Sequence, residues 1–241
     1  TIYVQRDVID SSVFVNPRVT AFSGGKGIAT AGSTVTFIES SGGISPITSF
    51  APPAHFNNIV IESGTRLLNG NVTVGGDFIV KGKAATSAQL TVGARTLTVL
   101  KDLIVNGEAG ATPPNLSASL IDFNTGNAST SLIKLAGNLN ISDGGLISTI
   151  VDGTGKGTIQ FIGSKNHQYS NTSSSRKNGF VNFTVGDNIS TDTLTLNTNL
   201  DLIRSNVAPY SDSLNVLNNS VLNVKDKSIT IGTDDNLANS P

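Results

Sequence analysis

The sequence predicts an all-β protein, a right-handed parallel β-helix or solenoid of short stacked strands. Three observations predict it. Apolar-x-apolar runs recur along most of the 241 residues, each alternating with Thr, Asn, Asp or Lys, which is the period-2 signal of a half-buried strand. Neighbouring runs start only six or seven positions apart, as at 72 and 78, 90 and 97, 97 and 103, 194 and 200, and 222 and 229. Antiparallel sandwiches use strands of about five to six residues with turn signals every 8–12 residues or so, which is a longer rhythm. Tandem antiparallel sandwich domains are the alternative reading. Finally, no stretch carries an i, i+3, i+4, i+7 apolar stripe, so helices are not expected.

Taken in order, residues 1–32 hold short apolar runs at Ile2-Tyr3-Val4 and Val13-Phe14-Val15, then a Gly-rich segment at 23–27. They read as the end of a preceding unit. Residues 33–61 and 157–185 follow one plan, a strand, a long polar segment and a second strand. Val35-x-Phe37-Ile38 matches Ile159-x-Phe161-Ile162, and Phe56, Asn58 and Ile59-x-Ile61 match Phe180, Asn182 and Phe183-x-Val185, all 124 residues apart. Between and after these copies come Val72-x-Val74, Phe78-x-Val80, Leu90-x-Val92, Leu97-x-Val99, Leu103-x-Val105, Leu120-x-Asp122-Phe123, the run from Leu132 to Leu135, Leu139-x-Ile141 and Ile147. The rhythm resumes with Leu194-x-Leu196, Leu200-x-Leu202, Leu214-x-Val216, Leu222-x-Val224 and Ile229-x-Ile231. Gly75-Gly76, Gly82, Gly93, Asn106-Gly107, Gly137 and Gly144-Gly145 separate them as turns.

Strands at 72, 78 and 90, then 97, 103 and 120, then 132, 139 and 147 are expected to form successive coils. The division that follows is 1–32 as the end of an earlier repeat, 33–156 as one full unit, and 157–241 as an incomplete second unit, in one continuous solenoid. Segments 40–55 and 164–179 are expected to be variable surface loops. A solenoid needs a cap over its last coil. Neither 1–10 nor 234–241 writes one, so both ends are expected to stack on further repeats. The chain starts at Thr1 and contains no Met, which reads as a processed protein or a fragment.

Composition narrows the function. A net charge of −1 with 14% charged residues argues against a nucleic-acid partner, which would need a basic patch. No apolar run nears the roughly 18 residues that span a bilayer as a helix. With no cysteine, disulfides, thiolate zinc sites and thiol catalysis are excluded together.

The residues GTIQFIG followed by FVNFTV, and HFNNIVI followed by NVTVGGDFIV, carry a resemblance over roughly residues 33–241. They resemble the repeats of very large surface proteins of Bacteroidetes. That resemblance implies type IX secretion, an extracellular or cell-surface location, and roles in adhesion, gliding or matrix. The expected function is a structural and adhesive repeat module, a stiff stalk or filament segment without enzymatic activity or cofactor. Its expected partners are adjacent repeats and surface glycans. A carbohydrate-binding or polysaccharide-cleaving β-helix and a phage-type receptor-binding fibre are the other functions weighed.

Residues able to carry chemistry are few. His55 and His167 are expected to be solvated loop residues. Segments 152–158 and 23–27 are Gly- and Lys-bearing turns without phosphate-loop spacing. Asp77 and Asp102 stand at the same position before equivalent strands. Their carboxylates would stack and repel, so a calcium ion or a lysine (Lys81, Lys101) is expected to relieve them if they do. Asp192-Thr193-Leu194 and Asp212-Ser213-Leu214 fit the Asp, Ser/Thr, apolar pattern of Bacteroidetes O-glycosylation, which makes Thr193 and Ser213 the candidate modification sites.

Overall fold

A computed structural model describes residues 2–4, 34–38, 42–44, 56–82, 86–107, 119–123, 130–148, 156–173, 181–205 and 213–234. All 22 elements are β-strands and every pair of neighbours is parallel. In chain order they begin with Ile2–Val4 (β1), Thr34–Phe37 (β2) and Gly42–Ile44 (β3). Four three-stranded coils follow. These are Asn58–Ile61, Gly64–Leu68 and Val72–Val74 (β4–β6), then Phe78–Lys81, Ala88–Thr91 and Thr96–Val99 (β7–β9). Next are Leu103–Asn106, Ser119–Asp122 and Thr130–Leu135 (β10–β12), then Leu139–Ser142, Leu146–Ser148 and Lys156–Phe161 (β13–β15). The chain continues with Asn166–Asn171 and Val181–Val185 (β16, β17), Thr193–Leu196, Leu200–Ser205 and Leu214–Val216 (β18–β20), and Val221–Asn223 and Ile229–Asp234 (β21, β22).

The fold is a β-solenoid of stacked parallel strands. One strand of each coil joins sheet A, in the order β1-β2-β4-β7-β10-β13-β16-β18-β21. Sheet B stacks β3, β5, β8, β11 and β14, sheet C stacks β6, β9, β12, β15, β17 and β20, and β19 pairs with β22 in a fourth sheet, D. The expected coil grouping holds. Val72 pairs with Leu97, Phe78 with Leu103 and then Leu139, and Leu97 with Ile133.

Alternation decides what each strand buries. Val72 and Val74, Phe78 and Val80, Leu97 and Val99, Leu103 and Val105, and Leu194 and Leu196 are all 0–1% exposed, with half-buried residues between them. These columns make one continuous apolar core. Each fully buried Val, Leu, Ile or Phe contributes about 1.5–3 kcal/mol relative to exposure. Coil length is free because only the strands must stack. Successive sheet A partners Ile59, Phe78, Leu103, Leu139 and Tyr169 are separated by as few as 19 and as many as 36 residues.

Four sequence expectations change. In β11 the inward residue opposite Leu90 is Ile121, and Ile121 and Phe123 are the buried pair, so the inward phase is one residue later than the Leu120 start implies. Segment 40–55 contains β3, whose Ile44 is fully buried, and segment 164–179 contains β16. Within 171–175, Asn171 and Ser173 are buried, and the Ser173 hydroxyl donates to the Gly145 carbonyl at 2.6 Å. Lastly, strands matched at 124 residues do not share a face. β2 and β4 lie in sheet A while β15 and β17 lie in sheet C, and β15 starts at Lys156, across the expected boundary at 156/157. The coil is the unit that the pairing repeats.

Candidate functional site

Three polar features interrupt the apolar pattern. The first runs along the entry to sheet A. Asn58, Asp77, Asp102, Asn138 and Gln168 each precede an inward residue of that sheet (Ile59, Phe78, Leu103, Leu139, Tyr169), and those residues pair in register. At each step a backbone N–H donates to the side-chain Oδ1 of the preceding coil: Asp77 to Asn58 at 2.9 Å, Asp102 to Asp77 at 3.1 Å, Asn138 to Asp102 at 2.8 Å and Gln168 to Asn138 at 2.9 Å. Asp77 and Asp102 therefore do stack, as their positions suggest. Each accepts a backbone N–H from the next coil. A carboxylate that accepts a backbone N–H is stabilised in its charged form. Gly137 makes room for the step from Asp102, since a Cβ there would lie 2.6 Å from Asp102 Oδ1 and 2.2 Å from the Lys101 carbonyl oxygen. Among the described residues no three His, Asp or Glu side chains converge as metal ligands.

The second feature is a sealed polar node. His167 lies on β16 with its side chain fully buried, not in a solvated loop. The reason is its phase in Asn166–Asn171, where His167, Tyr169 and Asn171 point inward and their neighbours outward. Its Nδ1 meets the Gly137 carbonyl at 2.8 Å, and its Nε2 meets Asp192 Oδ1 at 3.1 Å. A carbonyl only accepts, so Nδ1 carries a hydrogen, and the Nε2–Oδ1 contact gives the second ring nitrogen its partner. Asp192 Oδ1 also accepts the Lys165 N–H at 3.1 Å, and the Ser190 hydroxyl lies 3.1 Å from Oδ2. The imidazole packs on Phe161 with ring centres 5.3 Å apart. Phe161 and Tyr169 in turn flank Phe183 at 6.1 and 5.8 Å. The stretch 157–185 thus adds a cluster of three aromatic rings to the core. Ser190 contacts Asp192 and Asp187, not His167, so the three do not line up as a nucleophile, base and orienting acid. Above the node, the backbone N–H groups of Ile189 and then Ser190 hold the exposed Asp187 carboxyl below the usual carboxylate range.

Arg66 is a further departure from the apolar pattern. It occupies an inward position of β5, fully buried, with its guanidinium 4.8 Å from the centre of the Phe37 ring. Sequence reasoning passed over it because Gly64–Leu68 reads as a weak strand.

The third feature is an open polar cleft of about 300 Å³. Three successive coils line it, through Asn171 at the end of β16 and Thr172 after it, Asn197, Thr198 and Asn199 between β18 and β19, Asp201 on β19, and Lys227 between β21 and β22.

The residues proposed for modification lie apart from one another. Thr193 is half-buried in β18, and its N–H bonds the Lys165 carbonyl at 2.9 Å. The Ser213 hydroxyl, half-buried before β20, donates to Asn182 Oδ1 at 3.0 Å. His55, Asp152, Asp212 and segment 23–27 lie outside the described residues. No family model, no curated protein and no solved structure matches the chain.

Proposed function

We propose that the chain is a structural and adhesive module of an extracellular or cell-surface protein, a segment of a stiff stalk that continues onto further repeats. One observation carries this reading. The inward columns are closed along the molecule and open at its C-terminal end. Val185 is 0% exposed, and its partner in the last coil, Val216, is 45% exposed. Leu202 is 0% exposed and its partner Ile231 is 48%. Leu214, Leu222, Val224 and Ile229 are only partly buried against the core. Among the described residues no strand pairs on the far side of β20, β21 or β22.

An apolar face edged by strands of three sheets that no described strand pairs on the far side is a template for another strand layer. It is the same surface that every internal coil presents to the next, so its occupant is another coil of this kind, from a further repeat of the same or a longer chain. Repeat arrays without a polar cap stack in this way. The chain's resemblance to large Bacteroidetes surface repeats supports the extracellular location and the type IX route, and the low charge supports protein and glycan partners over nucleic acid.

The experiment is analytical ultracentrifugation over a wide concentration range, with electron microscopy of the products. The intact chain is expected to associate end to end, and a variant carrying Val216→Lys and Ile231→Lys to remain monomeric with its coils intact by circular dichroism. A chain that stays monomeric at the highest concentration, or a variant that associates equally, overturns the reading.

A further inference from the structure

We infer that the cleft across the last three coils is a saccharide-binding site that takes a neutral sugar. Its walls are fixed before any ligand arrives. Thr198 Oγ1 accepts the Asn171 N–H at 2.9 Å, and Asn199 Oδ1 accepts the Ser228 N–H at 3.1 Å. The Asn197 amide donates to Gln168 Oε1 at 3.0 Å and to Ser170 Oγ at 3.3 Å. These bonds tie the wall residues to neighbouring coils, and they use only part of the Thr198 and Asn199 side chains. The Thr198 hydroxyl hydrogen, the Asn199 amide hydrogens, the Thr172 hydroxyl and the Asp201 carboxylate make no bond to the described residues and line one cavity. The site is therefore a rigid set of donors and acceptors, spaced by the coil repeat of about 4.8 Å, with little ordering cost on binding.

Charge selects the ligand class. Asn197, Asn199 and Asp201 alternate as oxygen ligands of a calcium loop do, and calcium needs about six to eight oxygens. The cleft does not offer them. The Asn199 oxygen is taken by Ser228, and Lys225 Nζ sits 3.4 Å from the Asn197 oxygen. Lys227 stands at the rim, paired at 3.0 Å with Asp226. Two lysines beside the oxygens repel a cation, while Asp201 and Asp226 cancel those lysines for an anion. What remains is a neutral molecule dense in hydroxyls, each able both to donate and to accept. The Asn199 amide hydrogens and the Asp201 carboxylate can donate to and accept from adjacent hydroxyls of one sugar ring. The described lining contains no aromatic ring, so binding rests on hydrogen bonds and is weak.

This inference bears on the adhesive half of the proposed function and is independent of end-to-end stacking. The test is an amide NMR titration of the intact chain with glucose, galactose, mannose, N-acetylglucosamine, maltose, cellobiose and lactose, each separately, and with calcium chloride alone. At least one sugar is expected to shift the amides of Thr172 and of residues 197–201 selectively. Asp201→Asn and Asn199→Ala should each weaken that binding about tenfold, the loss of one good hydrogen bond. Ile189→Ala, at an exposed position outside the cleft, should leave it unchanged. No localised shift with any sugar overturns the inference. So do shifts that survive both cleft variants, or a response of the same amides to calcium alone.

Discussion

Leu202 and Ile231 sit in the same column of sheet D, one coil apart, yet one is sealed and the other is half in water. The contrast repeats in sheet C with Val185 and Val216. At the opposite end the layer next to the first described strand is closed. Val35, Phe37 and Ile44 are 0–1% exposed, and β1 pairs with β2 in register. A solenoid gains stability by adding coils, because each new layer buries the face of the last. The exposed C-terminal columns mark where that gain stops within the chain.

The largest expected effect comes from the closed region. Phe161 is fully buried between His167 and Phe183. Phe161→Asp removes a ring worth about 3–5 kcal/mol on truncation and adds a charge with no partner in an apolar layer. Cooperative melting followed by circular dichroism should be lost or moved far down in temperature. A melting curve like that of the parent would contradict the packing of residues 157–185 as core.

The paired truncations Leu202→Ala and Ile231→Ala sharpen the comparison further. Leu202→Ala leaves a cavity under a complete coil and should cost about 2–5 kcal/mol. Ile231→Ala removes a side chain that is already half hydrated, so its cost should be less than half of that. Urea midpoints at a concentration where the chain is monomeric measure both. Equal losses would mean that the end column is covered in solution. If the chain associates through this face, the gap between the two variants should narrow as concentration rises.

The sequence carries the strand layer of this fold well and its polar interior poorly, for physical reasons. Period-2 alternation follows from strand geometry alone, so Val72-x-Val74 or Leu97-x-Val99 is legible without partners. Alternation does not say which face of the coil a strand joins, and this is why matches 124 residues apart fell on different sheets. Asn166–Asn171 keeps the alternation, but His167 and Asn171 replace apolar residues at inward positions. The partners of the His167 ring, Gly137 and Asp192, come from two other coils. The partners of a buried histidine are a tertiary fact. The one available signal was the alternation of His167, Tyr169 and Asn171 with outward Gln168 and Ser170. The cleft was less legible still, because it is assembled from turns of three coils.

The ladder at the entry to sheet A gives the smallest effect and was half legible, since Asp77 and Asp102 stand out before equivalent strands. Its stabilising bond is a side-chain oxygen receiving the next coil's N–H, and Asn carries the same oxygen as Asp. Asp102→Asn should therefore be nearly neutral in melting temperature. Asp102→Ala should cost about 1–3 kcal/mol, because the Asn138 N–H loses its acceptor in a half-buried place. Amide hydrogen exchange at Asn138 separates this mechanism from a change in charge. Exchange there should speed up in the alanine variant and stay slow in the asparagine variant. A loss for Asn as large as that for Ala would show that the carboxylate's charge, rather than its oxygen, holds these coils together.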